Sequence, residues 1–234
     1  MLMKPLRIFS HVACESPGYL ATFLELQGFP FEVICLDKGV PVPQDLDDVA
    51  GLVILGGPGD VNKPTDWMKG EMELIGRAIK QDLPVLGICL GAQMLSKVLG
   101  GVVTPNKTLE VGWHPVINAS TKGWFADLPA AFEVFQWHAH TFSLPKGAVA
   151  LAHSTCAELQ AFAFNNNLAM QFHLEMTPES IAYLIQQYAS DLEEASSCVQ
   201  DADIITSDLE TRTRNLYQIA DVVYGRWLEC IYNS

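Results

Sequence analysis

Apolar and polar positions divide the chain into alternating elements from its start. Leu6-Arg7-Ile8-Phe9-Ser10-His11-Val12 reads as a strand, Pro17 to Gln27 as a helix closed by Gly28, and Phe31 to Leu36 as a second strand. The prolines of Val40-Pro41-Val42-Pro43 mark a loop. Val49 to Leu55 is a near-continuous apolar run, as expected of a strand buried on both faces of a parallel sheet, and it stops at Gly56-Gly57-Pro58-Gly59-Asp60. Asp66 to Gln81 carries Met68, Met72, Ile75 and Ile79 at helical spacing, and another apolar strand follows at Pro84 to Ile88. Strands alternating with helices predict an α/β fold: a doubly wound, mostly parallel sheet with flanking helices and ligands at the carboxyl ends of its strands.

Past Gly100-Gly101 the pattern becomes richer in short strands: Val102-Val103, Val111 to Ile117, Phe132 to Trp137, Ala148 to Ala152 and Leu159 to Phe164. Leu168 to His173 is again an apolar strand. Thr177-Pro178-Glu179 then supplies a cap, a first-turn proline and an acid, opening a helix with Ile181, Leu184, Ile185, Tyr188 and Leu192 on its apolar stripe. Asp191 to Glu210 is acidic without a basic residue and reads as a solvated connection. A last helix over roughly Asp208 to Ile231 turns Leu216, Ile219, Val223 and Trp227 toward the core.

Composition narrows the function classes. With 49% hydrophobic and 18% charged residues, the 234-residue chain is globular, and a formal charge of −13 argues against binding nucleic acid or an anionic membrane surface. Met1 to Pro5 has one basic residue and no apolar leader, and no stretch is long enough to span a bilayer, so the expected location is cytoplasmic. The six cysteines lie at 14, 35, 89, 156, 198 and 230 with no Cys-x-x-Cys pair, which predicts free thiols rather than a disulfide framework or a zinc knuckle. No phosphate-binding loop or dinucleotide fingerprint occurs, and no cofactor is expected.

The candidate chemistry centres on Gly87-Ile88-Cys89-Leu90-Gly91. This is the form of a nucleophile elbow, where a reactive side chain stands on a sharp strand-to-helix turn. Ala92, Leu95, Val98 and Leu99 continue as a helix, whose N-terminal dipole would favour a Cys89 thiolate. A buried structural cysteine is the competing reading, and the paired glycines with the abrupt switch of pattern weigh against it. For a base, His173 ends an apolar strand with Glu175 two residues on, where strand alternation would set both side chains on one face. The alternative is a surface histidine beside a helix-capping acid. The Leu90 and Gly57 N–H groups are candidate oxyanion donors. Trp137-His138-Ala139-His140 forms a further polar cluster, read as pocket-lining histidines; no convergent ligand set points to a metal.

Gly87-Ile88-Cys89-Leu90-Gly91-Ala92-Gln93, Gly56-Gly57-Pro58-Gly59 and Gln171-Phe172-His173-Leu174-Glu175, in this order, resemble the class I (triad-type) glutamine amidotransferases. Glu110-Val111-Gly112-Trp113-His114-Pro115 and Trp137-His138 look most like the glutaminase domain of GMP synthase and its stand-alone relatives. The resemblance covers about residues 6–190. It implies a flavodoxin-like amidotransferase domain over residues 1–192, with residues 193–234 as an acidic connection and a helix packed on it. It also implies that Cys89 attacks the γ-carboxamide of glutamine, that His173 carries protons and Glu175 orients it, and that a γ-glutamyl thioester forms as ammonia leaves. Gly57, Leu90, Gln93, His138 and His140 occupy positions that hold the substrate and its oxyanion. The chain departs from the family in reading His-Leu-Glu where His-Pro-Glu is usual, and in placing His140 where an Asp is usual. Nothing like an ATP pyrophosphatase half is present, so three readings stand. One is a glutaminase feeding ammonia to a separate synthetase subunit, another a stand-alone hydrolase of γ-glutamyl compounds, and the third a non-catalytic binding protein with an ordinary Cys89 thiol.

Overall fold

The computed structural model describes residues 3–120 and 123–232. Met1 and Leu2 of the N-terminal stretch lie outside the described residues. Among the described residues, nine strands form one sheet in the order β2-β1-β3-β4-β9-β8-β7-β5-β6. The parallel part consists of β1 (Leu6–Ser10), β2 (Phe31–Cys35), β3 (Gly51–Ile54), β4 (Val85–Ile88) and β9 (Asn167–Met170). The antiparallel part adds β5 (Val103–Asn118), β6 (Ala131–Phe142), β7 (Val149–His153) and β8 (Ala161–Phe164). The β-rich second half read from the pattern is therefore an extension of the same sheet.

Alternation along the parallel strands explains why they read as unbroken apolar runs. Leu6, Ile8, Val53, Leu86, Ile88, Leu168 and Met170 enter one core layer; Phe9, Leu52, Ile54, Val85 and Ala169 enter the other. The first layer is covered by α1 (Gly18–Leu26), α4 (Pro178–Gln187) and α6 (Leu209–Tyr232), through residues such as Phe23, Ile181, Val223, Tyr224 and Trp227. The second is covered by α2 (Asp66–Lys80) and α3 (Leu90–Val98), through Met68, Leu74, Ile75, Met94 and Leu95. Helix α4 starts where its sequence says it should. The Thr177 hydroxyl accepts from the Ser180 N–H while the Ser180 hydroxyl accepts from the Thr177 N–H, and Pro178 occupies the first turn.

Two expectations are corrected after residue 190. The acidic connection is clamped as well as solvated. Gln200 accepts from the Trp113 N–H (2.9 Å) and donates to the Trp113 carbonyl (2.7 Å), the Trp113 indole donates to the Ile205 carbonyl (3.0 Å), and Ile205 in α5 (Ala202–Thr206) is fully buried. In addition, Cys156 and Cys198 form a disulfide with Cα atoms 6.0 Å apart, and Cys14, Cys35, Cys89 and Cys230 lie outside that bridge. The two cysteines are 42 positions apart, and only the packing of the connection across β5 brings them together, so spacing could not signal the bridge. It also removes the support that six free thiols had lent to a reducing location. Among the described residues, no helix is long and apolar enough to cross a membrane.

Candidate active site

The carboxyl ends of β1, β3, β4 and β9 lie along one edge of the sheet, and each feeds a loop into the same cleft. The cleft holds about 220 Å³ and is lined by Cys89 and His173 together with Gly57, Gln93, His138 and His140. Glu175 stands behind His173, and the Leu90 N–H belongs to the first turn of α3, where no carbonyl of the helix accepts it. No cluster of side chains suited to a metal ion occurs among the described residues.

Cys89 sits at the turn between β4 and α3 with φ 51° and ψ −106°, in left-handed space that a non-glycine residue enters only when its surroundings hold it there. The flanking glycines make the turn possible. A Cβ on Gly87 would lie 2.6 Å from the Gly91 carbonyl oxygen, and one on Gly91 would overlap the Ile54 carbonyl. The Cys89 N–H is tied to the Met170 carbonyl at 2.8 Å, so β9 supports the turn from one side while β3 crowds it from the other.

His173 does not continue β9, which ends at Met170, so the expected strand alternation is not what unites it with Glu175. The His173 N–H instead donates to the Phe135 carbonyl of β6 (2.9 Å), and the chain bends around this bridge. Within the bend, His173 Nδ1 lies 2.6 Å from Glu175 Oε1, and Glu175 Oε2 accepts from the Leu174 N–H at 3.0 Å. Burial of His173 opposes its protonation, but the Glu175 charge and the hydrogen bonds to Cys89 and Glu175 outweigh it and hold its pKa well above the usual imidazole value. Burial pushes the Cys89 thiol up, against the pull of His173, so the helix end alone does not produce a thiolate. The arrangement suits transfer of the thiol proton to a strong neighbouring base. The Cys89 thiol also faces the Trp137 carbonyl at 3.8 Å.

Sequence reasoning missed the device that holds the Gly57 N–H. His11, just past β1, donates from Nδ1 to the Gly56 carbonyl (2.7 Å), while its Nε2 meets Glu71 Oε2 of α2 (2.9 Å), and its ring stacks on Trp67. Both ring nitrogens face oxygen atoms, an arrangement that favours the imidazolium. Burial works against the charge, and the hydrogen bond and charge of Glu71 prevail to raise its pKa. A trans peptide points its C=O and N–H in opposite directions. Anchoring the Gly56 carbonyl on His11 therefore turns the Gly57 N–H away from His11, and no carbonyl among the described residues accepts it. The signal was available: His11 follows an apolar strand whose carboxyl end belongs at the ligand edge.

The histidine cluster is built on a second buried pair. His138 Nε2 meets Glu110 Oε2 at 3.0 Å and Nδ1 donates to the His140 carbonyl at 2.9 Å, while Gln160 and Ser154 also donate to Glu110. Burial alone would raise the Glu110 pKa; the hydrogen bond and charge of His138 reverse this and lower it. Glu110 thereby fixes the β6 backbone on one rim of the cleft. Gln93 is buried, and its amide donates to Gln171 at 3.4 Å.

Comparison with known proteins settles the lineage. The sequence profile described as glutamine amidotransferase class-I matches residues 20–188. The chain belongs to the class I glutamine amidotransferase family. It is 29% identical to the glutamine amidotransferase-like protein YfeJ of Salmonella typhimurium, over 92% of both chains. A match of 34% identity to the GMP synthase of Thermomicrobium roseum covers 62% of this chain but 28% of that protein, and gamma-glutamyl peptidase 3 of Arabidopsis thaliana is 27% identical over 65% of each. Among solved structures, a glutamine amidotransferase from Methylobacillus flagellatus superposes with a TM-score of 0.93 at 33% identity, covering 98% of this chain and 96% of that one. The α/β architecture and the C-terminal helix of this family member accord with those structures.

Proposed function

We propose that this amidotransferase-family chain hydrolyses the γ-carboxamide of glutamine through a Cys89 thioester and releases ammonia. The observation that carries the reading is that Cys89 and His173 line one cleft with Glu175 bonded behind His173, while Gly57 lines the same cleft and the Leu90 N–H belongs to the first turn of α3 beside Cys89. His173 takes the Cys89 proton, and the thiolate sulfur attacks the γ-carbonyl carbon. The developing oxyanion is met by the two N–H groups. His173, held and charged by Glu175, returns the proton to the departing nitrogen; the C–N bond breaks and the S–C bond remains. Water, deprotonated by His173, then cleaves the thioester to glutamate. Gln93 and the β6 backbone around His138 and His140 hold the amino-acid end of the substrate.

Ammonia release from glutamine by the purified chain tests this, with Cys89→Ala as control. A small residue fits the elbow, so that variant keeps its fold and loses turnover; unchanged hydrolysis by Cys89→Ala would sink the assignment. A second reading, a stand-alone hydrolase of larger γ-glutamyl amides, is favoured by the extent of the cleft, whose lining also includes Leu109, Trp137, Leu184, Tyr188 and Asp191. Delivery of ammonia to a separate synthetase subunit predicts slow turnover alone and stimulation by that partner. Hydrolysis of larger amides predicts full turnover without one.

A further inference from the structure

The cleft lining combines different chemistries. Gln93, His138 and His140 belong to the part given above to the amino-acid end of the substrate. Another stretch of the wall is acidic and aromatic: Glu15, Trp137, Tyr188 and Asp191. Direct contacts join its parts. The Trp137 indole donates to Asp191 Oδ2 at 2.9 Å, the Trp137 and Tyr188 ring centroids are 6.1 Å apart, and Tyr188 lies within the fields of both Glu15 and Asp191. Among the described residues, no lysine or arginine lines the cleft.

Glu15 is the feature that the proposed hydrolysis of glutamine leaves unused. It is 8% exposed, what remains opens into the cleft, and no hydrogen bond among the described residues reaches its carboxylate. One carboxylate oxygen lies against Gly56 next to His173 Cε1. Because His173 Nδ1 is taken by Glu175, Nε2 is the nitrogen that serves Cys89 and the departing amine, and Cε1 is bonded to both ring nitrogens. Glu15 therefore sits at the imidazole carbon between Nδ1 and Nε2, one bond from the nitrogen that serves the departing amine. A buried carboxylate without a donor is costly unless a ligand completes it. Carboxylates beside aromatic faces, with no lysine or arginine among them, form an environment for an ammonium group.

We propose that this wall is a leaving-amine subsite with Glu15 as its counter-ion, so that the preferred substrates are γ-glutamyl amides of amines carrying a second, protonated amino group. The inference rests on the hydrolytic reading above. The chemistry is unchanged: the C–N bond breaks, the Cys89 proton passes through His173 to the departing nitrogen, and water later releases glutamate, while the distal ammonium stays paired with Glu15 until the diamine leaves. Burial raises the pKa of the Glu15 carboxyl, with His173 and His11 pulling against it, and an entering cation would favour its ionised form.

The test compares three amides of similar length, γ-glutamyl-2-aminoethylamide, γ-glutamylpropylamide and γ-glutamylglycine, beside glutamine, with the full chain and Cys89→Ala as control. The expected kcat/KM for the aminoethylamide exceeds that for the propylamide by about tenfold or more, with γ-glutamylglycine lowest, and Glu15→Gln collapses the first ratio toward one. A Glu15 that merely tuned His173 would change all the amides alike and leave the ratio standing, which overturns the proposal. If Glu15→Gln does not fold, the order among the amides in the parent chain decides alone. Cys89-dependent turnover of glutamine or the propylamide without preference for the ammonium overturns the subsite and spares the hydrolytic reading; no turnover of any of the four overturns both.

Discussion

His11 offers two substitutions that separate activity from stability. Glutamine at position 11 places an amide near the position of Nε2 and keeps a donor for Glu71, but withdraws the donor from the Gly56 carbonyl. Asparagine places its amide near Nδ1, keeps the bond to Gly56 and abandons Glu71. The bond from a charged imidazolium to Gly56 contributes about 1.5–3 kcal/mol to holding the peptide. If that hold is what aims the Gly57 N–H at the oxyanion, His11→Gln lowers kcat by about 10- to 150-fold. The ceiling is the cost of losing one oxyanion donor outright, about 2.7–4 kcal/mol. KM changes little, because the donor acts chiefly in the transition state. His11→Asn keeps kcat within about threefold and instead loses about 3–5 kcal/mol of stability, since the fully buried Glu71 has no other partner in this pair. Adding Glu71→Gln to His11→Asn recovers part of that loss. The assays are steady-state amide hydrolysis and urea unfolding of each variant. A folded His11→Gln with parental kcat, or equal loss of kcat in both variants, would refute the reasoning.

Further outcomes follow from the same geometry. His173→Ala abolishes measurable turnover, while Glu175→Gln reduces it less severely because it mis-sets the base without removing it; steady-state rates in the opposite order would give Glu175 another role. Opening the Cys156–Cys198 bridge by Cys156→Ala costs about 4 kcal/mol on a loop-closure estimate for its separation of 42 residues, read by denaturant unfolding with and without reductant on the parent chain. An unchanged midpoint would show that the clamp by Gln200 and Ile205 suffices. The folded-state pKa of His11 is raised, so its contribution to stability is complete below the unfolded imidazole value and is lost as pH rises through the folded one. Melting temperature should therefore fall on the alkaline side more steeply in the parent than in Glu71→Gln, and parallel curves would contradict this.

The parallel half of the fold was legible because each strand is buried on both faces and therefore apolar throughout. Leu6–Ser10 and Gly51–Ile54 needed no partner to be recognised. Cys89 was legible for a local reason too: a strained turn between strand and helix needs glycines on both sides, and that requirement is written in consecutive residues. Helix α4 carried its own cap at Thr177. The pairing of His173 with Glu175 was anticipated on the wrong ground, since a bend held by Phe135, thirty-eight positions earlier, brings the two together.

What remained hidden depends on contacts between distant segments. His11 and Glu71 are separated by 60 residues, His138 and Glu110 by 28, and Cys156 and Cys198 by 42. A single charged or polar residue in a loop has no periodicity, and its partner is chosen by strand order and register. Glu15 shows the same limit: as a letter it is an acid in a turn, and only the convergence of β1, β3 and α4 makes it a buried carboxylate facing an open cleft. The chain's local patterns set its elements and its candidate nucleophile, because backbone conformation and burial are specified over a few residues. The groups that aim, charge and surround that nucleophile were decided by tertiary packing, because their energies arise from desolvation and pairing across the fold.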